Sequence, residues 1–131
     1  MISLSRTGWL LALAGVLVTV VSVPLAATAV HNRLTFGTFS TSGPPPRVGW
    51  CGRTYLAGTS VESLAGVQAF LVENGQHGRT RIGSTPSGFA IVANVMTPAE
   101  RAAYHTNVCT MEVFVQTGPD RYLPYGLSGG P

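Results

Sequence analysis

The chain has 131 residues, of which eight are basic and five are acidic, and every basic residue is an arginine. The absence of lysine excludes Schiff-base and P-loop chemistry, and a single aspartate excludes an EF-hand and an aspartate pair. The arginines are scattered along the chain, so the small positive charge does not predict a nucleic-acid surface.

The N-terminus has the pattern of a membrane-directed leader. Residues 1–7 form a short n-region with Arg6, and residues 8–30 contain no charged side chain. A helix needs about 20 apolar residues to cross a bilayer, so this stretch predicts a single-pass transmembrane anchor. Alternatively, the stretch is a signal peptide, and Ala27-Thr28-Ala29 is the site of its cleavage. Both alternatives place the rest of the chain outside the cytoplasm, and the membrane is a partner only if residues 8–30 stay uncleaved.

Residues 31–47 are rich in Ser, Thr, Gly and Pro and lack a periodic apolar face, which predicts a linker. The run Pro44-Pro45-Pro46 favours an extended polyproline II conformation. The remaining length, residues 48–131, is sufficient for one small domain.

The first part of this domain predicts one strand and one helix. Val48–Leu56 is rich in residues that favour a strand. A helix is predicted from Ser60, with apolar residues at helical spacing and a stop at Asn74-Gly75. Gly66 weakens this helix, so a strand over Val67–Val72 is the alternative.

Turn and capping signals define the next elements. The sequence TPSG at Thr85–Gly88 predicts a hairpin turn between two strands. Thr97 and Glu100 form a capping box, with Pro98 at the first helical position. These residues predict a short helix that ends near His105.

The last part of the chain predicts two more strands. Apolar residues alternate with others from Cys109 onward, so Val113 and Val115 share one face. A turn at 118–120 leads into Arg121–Leu127, where Pro124 predicts an edge strand because proline cannot donate to a ladder. Together the elements predict an α+β domain with an antiparallel sheet of four or five strands and one or two short helices, preceded by the transmembrane or signal helix.

Cys51 and Cys109 are the two cysteines of the chain. Outside the cytoplasm an even number of cysteines predicts a disulfide. One alternative is a nucleophile at Cys51 with His77 or His105 as its base, and another is a metal site of cysteines and histidines. The chain has no C-x-x-C motif and no second cysteine close to Cys51. We therefore predict a structural disulfide, with no metal and no cofactor.

Three short segments, WCGRTY (50–55), STPSG (84–88) and YGLSGGP (125–131), resemble a group of short actinobacterial proteins. Members of this group have one hydrophobic N-terminal segment and a small outer domain with two cysteines. The resemblance implies a position outside the cytoplasm and a hydrophobic segment that can stay as an anchor. It brings no known activity, so it transfers no functional residue.

Aromatic residues and arginines of the domain are candidates for a binding surface, because Trp, Tyr and Arg are enriched at interfaces. The candidates are Trp50, Arg53, Tyr55, Arg121, Tyr122 and Tyr125. The alternative is that most of these rings belong to the core.

The sequence predicts a non-enzymatic interaction or accessory domain outside the cytoplasm, whose partner is a protein or a cell-wall glycan and not a nucleic acid. The first alternative is a cell-wall or small-ligand binding module. The second is a small hydrolase that uses His77, His105, Glu100 or Glu112 with a serine. The G-x-S-x-G signature of one large hydrolase class is absent, and we assign no catalytic residue.

Overall fold

A single six-stranded antiparallel sheet forms the centre of the protein. The computed structural model describes residues 6–73, 78–105 and 109–129. The elements in chain order are α1 (Arg6–Phe36), β1 (Arg47–Trp50), β2 (Arg53–Ala57), α2 (Leu64–Glu73), β3 (Thr80–Ser84), β4 (Ala90–Ala93), α3 (Pro98–Tyr104), β5 (Glu112–Gly118) and β6 (Arg121–Leu127). The strand order is β1-β2-β6-β5-β4-β3, with all neighbours antiparallel. The predicted α+β class is confirmed, and the sheet has six strands where the sequence predicts four or five.

The β1–β2 hairpin contributes one of the additional strands. The sequence predicts a single strand over Val48–Leu56, but Trp50 pairs with Arg53 and leaves Cys51 and Gly52 as a two-residue turn. Their φ angles are 55° and 68°, as a type I′ turn requires. Residues with a side chain seldom adopt a positive φ, so Cys51 is not an expected turn residue.

The last strand, β6, lies inside the sheet between β2 and β5, so the edge position predicted from Pro124 is wrong. The carbonyl of Pro124 accepts from Gly58 N–H at 2.8 Å, on the β2 side of the strand. The nitrogen and carbonyl of a strand residue point to the same side, so the nitrogen of Pro124 also faces β2. Ladder pairing with β2 ends one residue away, at Ala57 and Tyr125. Proline is tolerated here because the hydrogen bonds between β2 and β6 do not require a backbone N–H at position 124.

Apolar packing covers both faces of the sheet. One face carries the larger cluster, formed by Phe36, Val48, Tyr55, Ile91, Ala93, Val113, Val115 and Tyr125. The other face packs on α2 through Val67, Leu71, Val92, Phe114 and Tyr122. Successive side chains of a strand point to opposite faces, which is why Val113 and Phe114 belong to different clusters.

Side-chain caps fix the start of both short helices. Asp120 accepts from the Leu64 N–H at 2.6 Å, and this bond ties the first turn of α2 to the β5–β6 turn. At α3, the predicted capping box is present: Thr97 Oγ1 accepts from Glu100 N–H, and Glu100 Oε2 accepts from Thr97 N–H. The predicted hairpin turn at Thr85–Gly88 also connects β3 to β4, closed by a 2.9 Å bond from Gly88 N–H to Thr85 O.

The first helix, α1, extends beyond the predicted leader into the predicted linker. Its last residue, Phe36, is buried in the larger cluster, and Pro45 is buried as well. Arg47 donates from Nη2 to the carbonyls of Arg33 and Leu34 at 3.0 and 2.9 Å. Residues 31–47 therefore pack against the domain at several points and do not form a free spacer.

Among the residues that the structure describes, we find no helix with the length and apolar character needed to cross a membrane. The transmembrane segment predicted over 8–30 is therefore not supported. Residues 1–5 of the n-region, the predicted helix stop at Asn74-Gly75 and the candidate base His77 lie outside the described residues.

Candidate functional site

The disulfide predicted between Cys51 and Cys109 is present, with a Cα–Cα distance of 6.3 Å. It joins the β1–β2 turn to the chain that leads into β5. Both sulfurs are engaged and the described chain has no free cysteine, so neither sulfur is a thiolate nucleophile or a metal ligand. His105, the candidate base that the structure describes, is the C-cap of α3 with a φ of 52°.

A groove of about 700 Å³ lies beside the β1–β2 turn, and we call it the disulfide groove. It is lined by Gly52, Arg53, Thr54, Met111, Leu127, Ser128 and Gly129. Backbone hydrogen bonds hold its walls together: Leu127 N–H donates to Met111 O at 3.0 Å, and Ser128 N–H donates to Thr54 O at 2.8 Å. The groove is thus built on sheet pairing next to a covalent crosslink.

Two exposed side chains give the disulfide groove its chemical character. Arg53 is exposed at the start of β2, and Met111 is 57% exposed just before β5. A guanidinium offers planar, charged hydrogen-bond donors, and a thioether offers an adaptable apolar surface. Arg53 and Met111 can therefore offer charged hydrogen bonds and apolar contact to a bound partner.

The structure divides the six predicted surface residues into two groups. Arg53 and Arg121 are exposed, and Trp50 is half-buried with its ring centroid 6.3 Å from that of Tyr55. The other three, Tyr55, Tyr122 and Tyr125, are at most 1% exposed. The prediction of a surface is wrong for these tyrosines, because their rings fill the two apolar clusters. The alternative that most of the rings belong to the core describes them correctly.

Each buried tyrosine has a partner for its hydroxyl, as burial of a polar group requires. Tyr55 donates to Thr110 O at 2.8 Å, and Tyr125 donates to Pro45 O at 2.6 Å. The hydroxyl of Tyr122 accepts from Arg79 Nη1 at 2.8 Å, with the guanidinium over its ring. Burial raises the pKa of Tyr125 to about 12. It also raises the pKa of Tyr55, although the charge of Arg53 acts in the opposite direction.

A second groove, of about 360 Å³, lies between α2 and the neighbouring strands, and we call it the α2 groove. Its lining consists of Ser60, Glu62, Gly66, Val67, Ala69, Phe70, Glu73, Glu112, Phe114 and Pro124. Burial raises the pKa of Glu112 above its ordinary value, and the nearby charge of Glu62 raises it further. No sequence motif indicates this groove, because Glu62 and Glu112 are far apart in the chain. The one local signal is that Glu112 and Phe114 lie on the same face of β5.

Among the described residues, no three or more His, Cys, Asp or Glu side chains are grouped so that they could hold a metal ion. No protein-family model, curated protein or solved structure matches the chain. The two grooves are therefore interpreted from their own geometry.

Proposed function

We propose that the protein is a non-enzymatic interaction domain that acts outside the cytoplasm and binds a partner protein through the disulfide groove. The observation that carries this proposal is the position of Arg53 and Met111 on one groove whose backbone is held by a crosslink and by sheet hydrogen bonds. Arginine and methionine are enriched in protein interfaces. A preformed, rigid groove also loses little conformational entropy on binding.

The position outside the cytoplasm is supported by the disulfide, since such bonds form and persist in oxidising compartments. The resemblance of the WCGRTY, STPSG and YGLSGGP segments to actinobacterial outer domains with two cysteines points in the same direction. We propose export by a cleaved signal peptide, with cleavage after Ala29.

The packing of α1 supports this cleavage position. Val20, Val23 and Leu25, which precede Ala29, are 67, 67 and 66% exposed. Several contacts that attach the helix to the domain lie after Ala29: Phe36 is buried, and the carbonyls of Arg33 and Leu34 accept from Arg47. Cleavage after Ala29 leaves the end of α1, which makes these contacts, in the mature protein. N-terminal sequencing of exported protein should therefore give Val30 as the first residue.

Site-specific photocrosslinking in intact cells tests the binding groove. A photoreactive benzoylphenylalanine at Met111 should capture one discrete protein adduct, whereas the same group at the exposed Arg101 of α3 should not. The Arg53→Ala substitution should abolish the adduct. Arg121→Ala is the matched control, because it removes an exposed arginine that does not line the groove.

Three outcomes would overturn the proposal. One is an adduct that forms equally from Met111 and Arg101, and another is an adduct that is insensitive to Arg53→Ala. The third is a purified protein that binds cell-wall glycan through Arg53 and captures no protein, which would make it a glycan-binding module.

A further inference from the structure

The α2 groove combines an aromatic floor with acidic groups and is independent of the disulfide groove. Phe70 and Phe114 contact each other edge to face, with ring centroids 5.9 Å apart. Val67 and Pro124 extend the apolar surface, and the carboxylates of Glu62, Glu73 and Glu112 complete the lining. We propose that this groove binds an arginine side chain presented by an extended basic segment of a partner protein.

The electrostatics of the groove call for a cation from outside the chain. Its lining contains three acidic residues and no basic residue. Burial raises the pKa of Glu112, and the negative charge of Glu62 raises it further, so the two carboxylates repel each other. A bound guanidinium would relieve this repulsion. The charge of the groove is also opposite to the net charge of the chain, which is +3.

The apolar floor favours arginine over other cations. A guanidinium can lie flat on aromatic surface and donate two parallel hydrogen bonds to a carboxylate, whereas an ammonium is compact and strongly hydrated. A metal ion is the weaker choice, because the described residues provide no metal-binding group of three or more side chains. The volume of about 360 Å³ is at the small end of binding pockets, which suits one or two side chains.

Binding of short peptides to the full chain tests the proposal. The probe is a capped peptide with two arginines separated by alanine, and its control has citrulline, the neutral isostere, at both positions. The arginine peptide should bind with an affinity that falls as salt increases, and the citrulline peptide should bind at least about tenfold more weakly. Amide chemical-shift changes should centre on Gly66, Val67 and Glu112.

Matched variants locate the binding site. Glu62→Gln combined with Glu112→Gln should weaken binding of the arginine peptide at least about tenfold. Glu100→Gln is the control for each of the single substitutions Glu62→Gln and Glu112→Gln: it also removes one acidic charge, but it lies on α3, and glutamine can replace glutamate in a capping box. Circular dichroism should show that all variants remain folded.

Several results would contradict the proposal. These are an absence of binding by the arginine peptide, equal binding of the citrulline peptide, or shift changes that map away from the residues that line the α2 groove. Equal weakening by Glu100→Gln would show that net charge, and not the groove, determines binding. Because these variants leave Arg53 and Met111 unchanged, failure here would not affect the proposal for the disulfide groove.

Discussion

Tyr125 connects the core to the segment that precedes the sheet. Its ring is fully buried in the larger cluster, and its hydroxyl donates to Pro45 O at 2.6 Å. The phenolate form would lose this donor and would place a charge in an apolar environment, which is the reason that its pKa rises to about 12. One side chain thus links the stability of the sheet to the position of Pro45.

The raised pKa of Tyr125 predicts a loss of stability at alkaline pH. Between pH 10 and pH 12 the unfolded state has released this proton and the folded state has kept it, so the free energy of unfolding falls as pH rises. Over these two pH units the free energy of unfolding falls by at most roughly 3 kcal/mol. Urea unfolding should show the wild type more stable than Tyr125→Phe by about 1 kcal/mol at pH 7, because the variant lacks the hydrogen bond to Pro45. This advantage should shrink between pH 10 and pH 12. If the free energies of unfolding of the two proteins changed equally with pH between pH 10 and pH 12, Tyr125 would not be the group responsible for the alkaline loss of stability.

At the scale of elements, α3 depends on its capping box. The helix has only seven residues, and the two reciprocal bonds between Thr97 and Glu100 satisfy donors that the helix itself cannot. Thr97→Ala should lower the free energy of unfolding by about 1 kcal/mol. Thr97→Ser keeps the hydroxyl and should stay close to the wild type. Urea unfolding at pH 7 measures both variants, and equal losses for Ala and Ser would show that the hydroxyl is not the stabilising group.

Local signals explain which elements could be predicted from the sequence. The α3 capping box and the Thr85–Gly88 turn each depend on residues within a few positions of one another, and both are present in the structure. The β1–β2 hairpin could not be predicted in the same way, because its turn needs a positive φ at Cys51. The interior position of β6 depends on pairing with β2, a contact between distant segments that propensity does not specify.

The candidate sites illustrate the same limit. Sequence composition identified Arg53 as a surface residue, but it also proposed Tyr55, Tyr122 and Tyr125, which are buried. The residue type alone does not indicate whether a tyrosine ring faces the core or the solvent. The direction of the ring is determined only when the strands pair and the sheet packs. Both grooves unite residues from separate strands or helices, so neither is visible as a motif.

At the scale of the whole molecule, two attachments of the β1–β2 hairpin to the rest of the sheet differ in kind. One is the short ladder between β2 and β6, which pairs Tyr55, Leu56 and Ala57 with residues 127, 126 and 125. The other is the disulfide from the hairpin turn to Cys109, with a sequence separation of 58. The disulfide is at the turn end of the hairpin, whereas the ladder with β6 pairs residues 55–57, away from the turn.

Removal of the disulfide should therefore destabilise the whole protein and loosen the hairpin first. The double variant Cys51→Ala and Cys109→Ala should lose roughly 4 kcal/mol of unfolding free energy, because the unfolded chain regains the entropy of a long loop. Urea unfolding should also show a larger dependence on denaturant, since an uncrosslinked chain exposes more surface. In hydrogen exchange, amides of β1 and β2 should lose protection before those of β4 and β5. An unchanged unfolding curve, or uniform loss of protection across the sheet, would show that noncovalent contacts are sufficient to hold the hairpin in place.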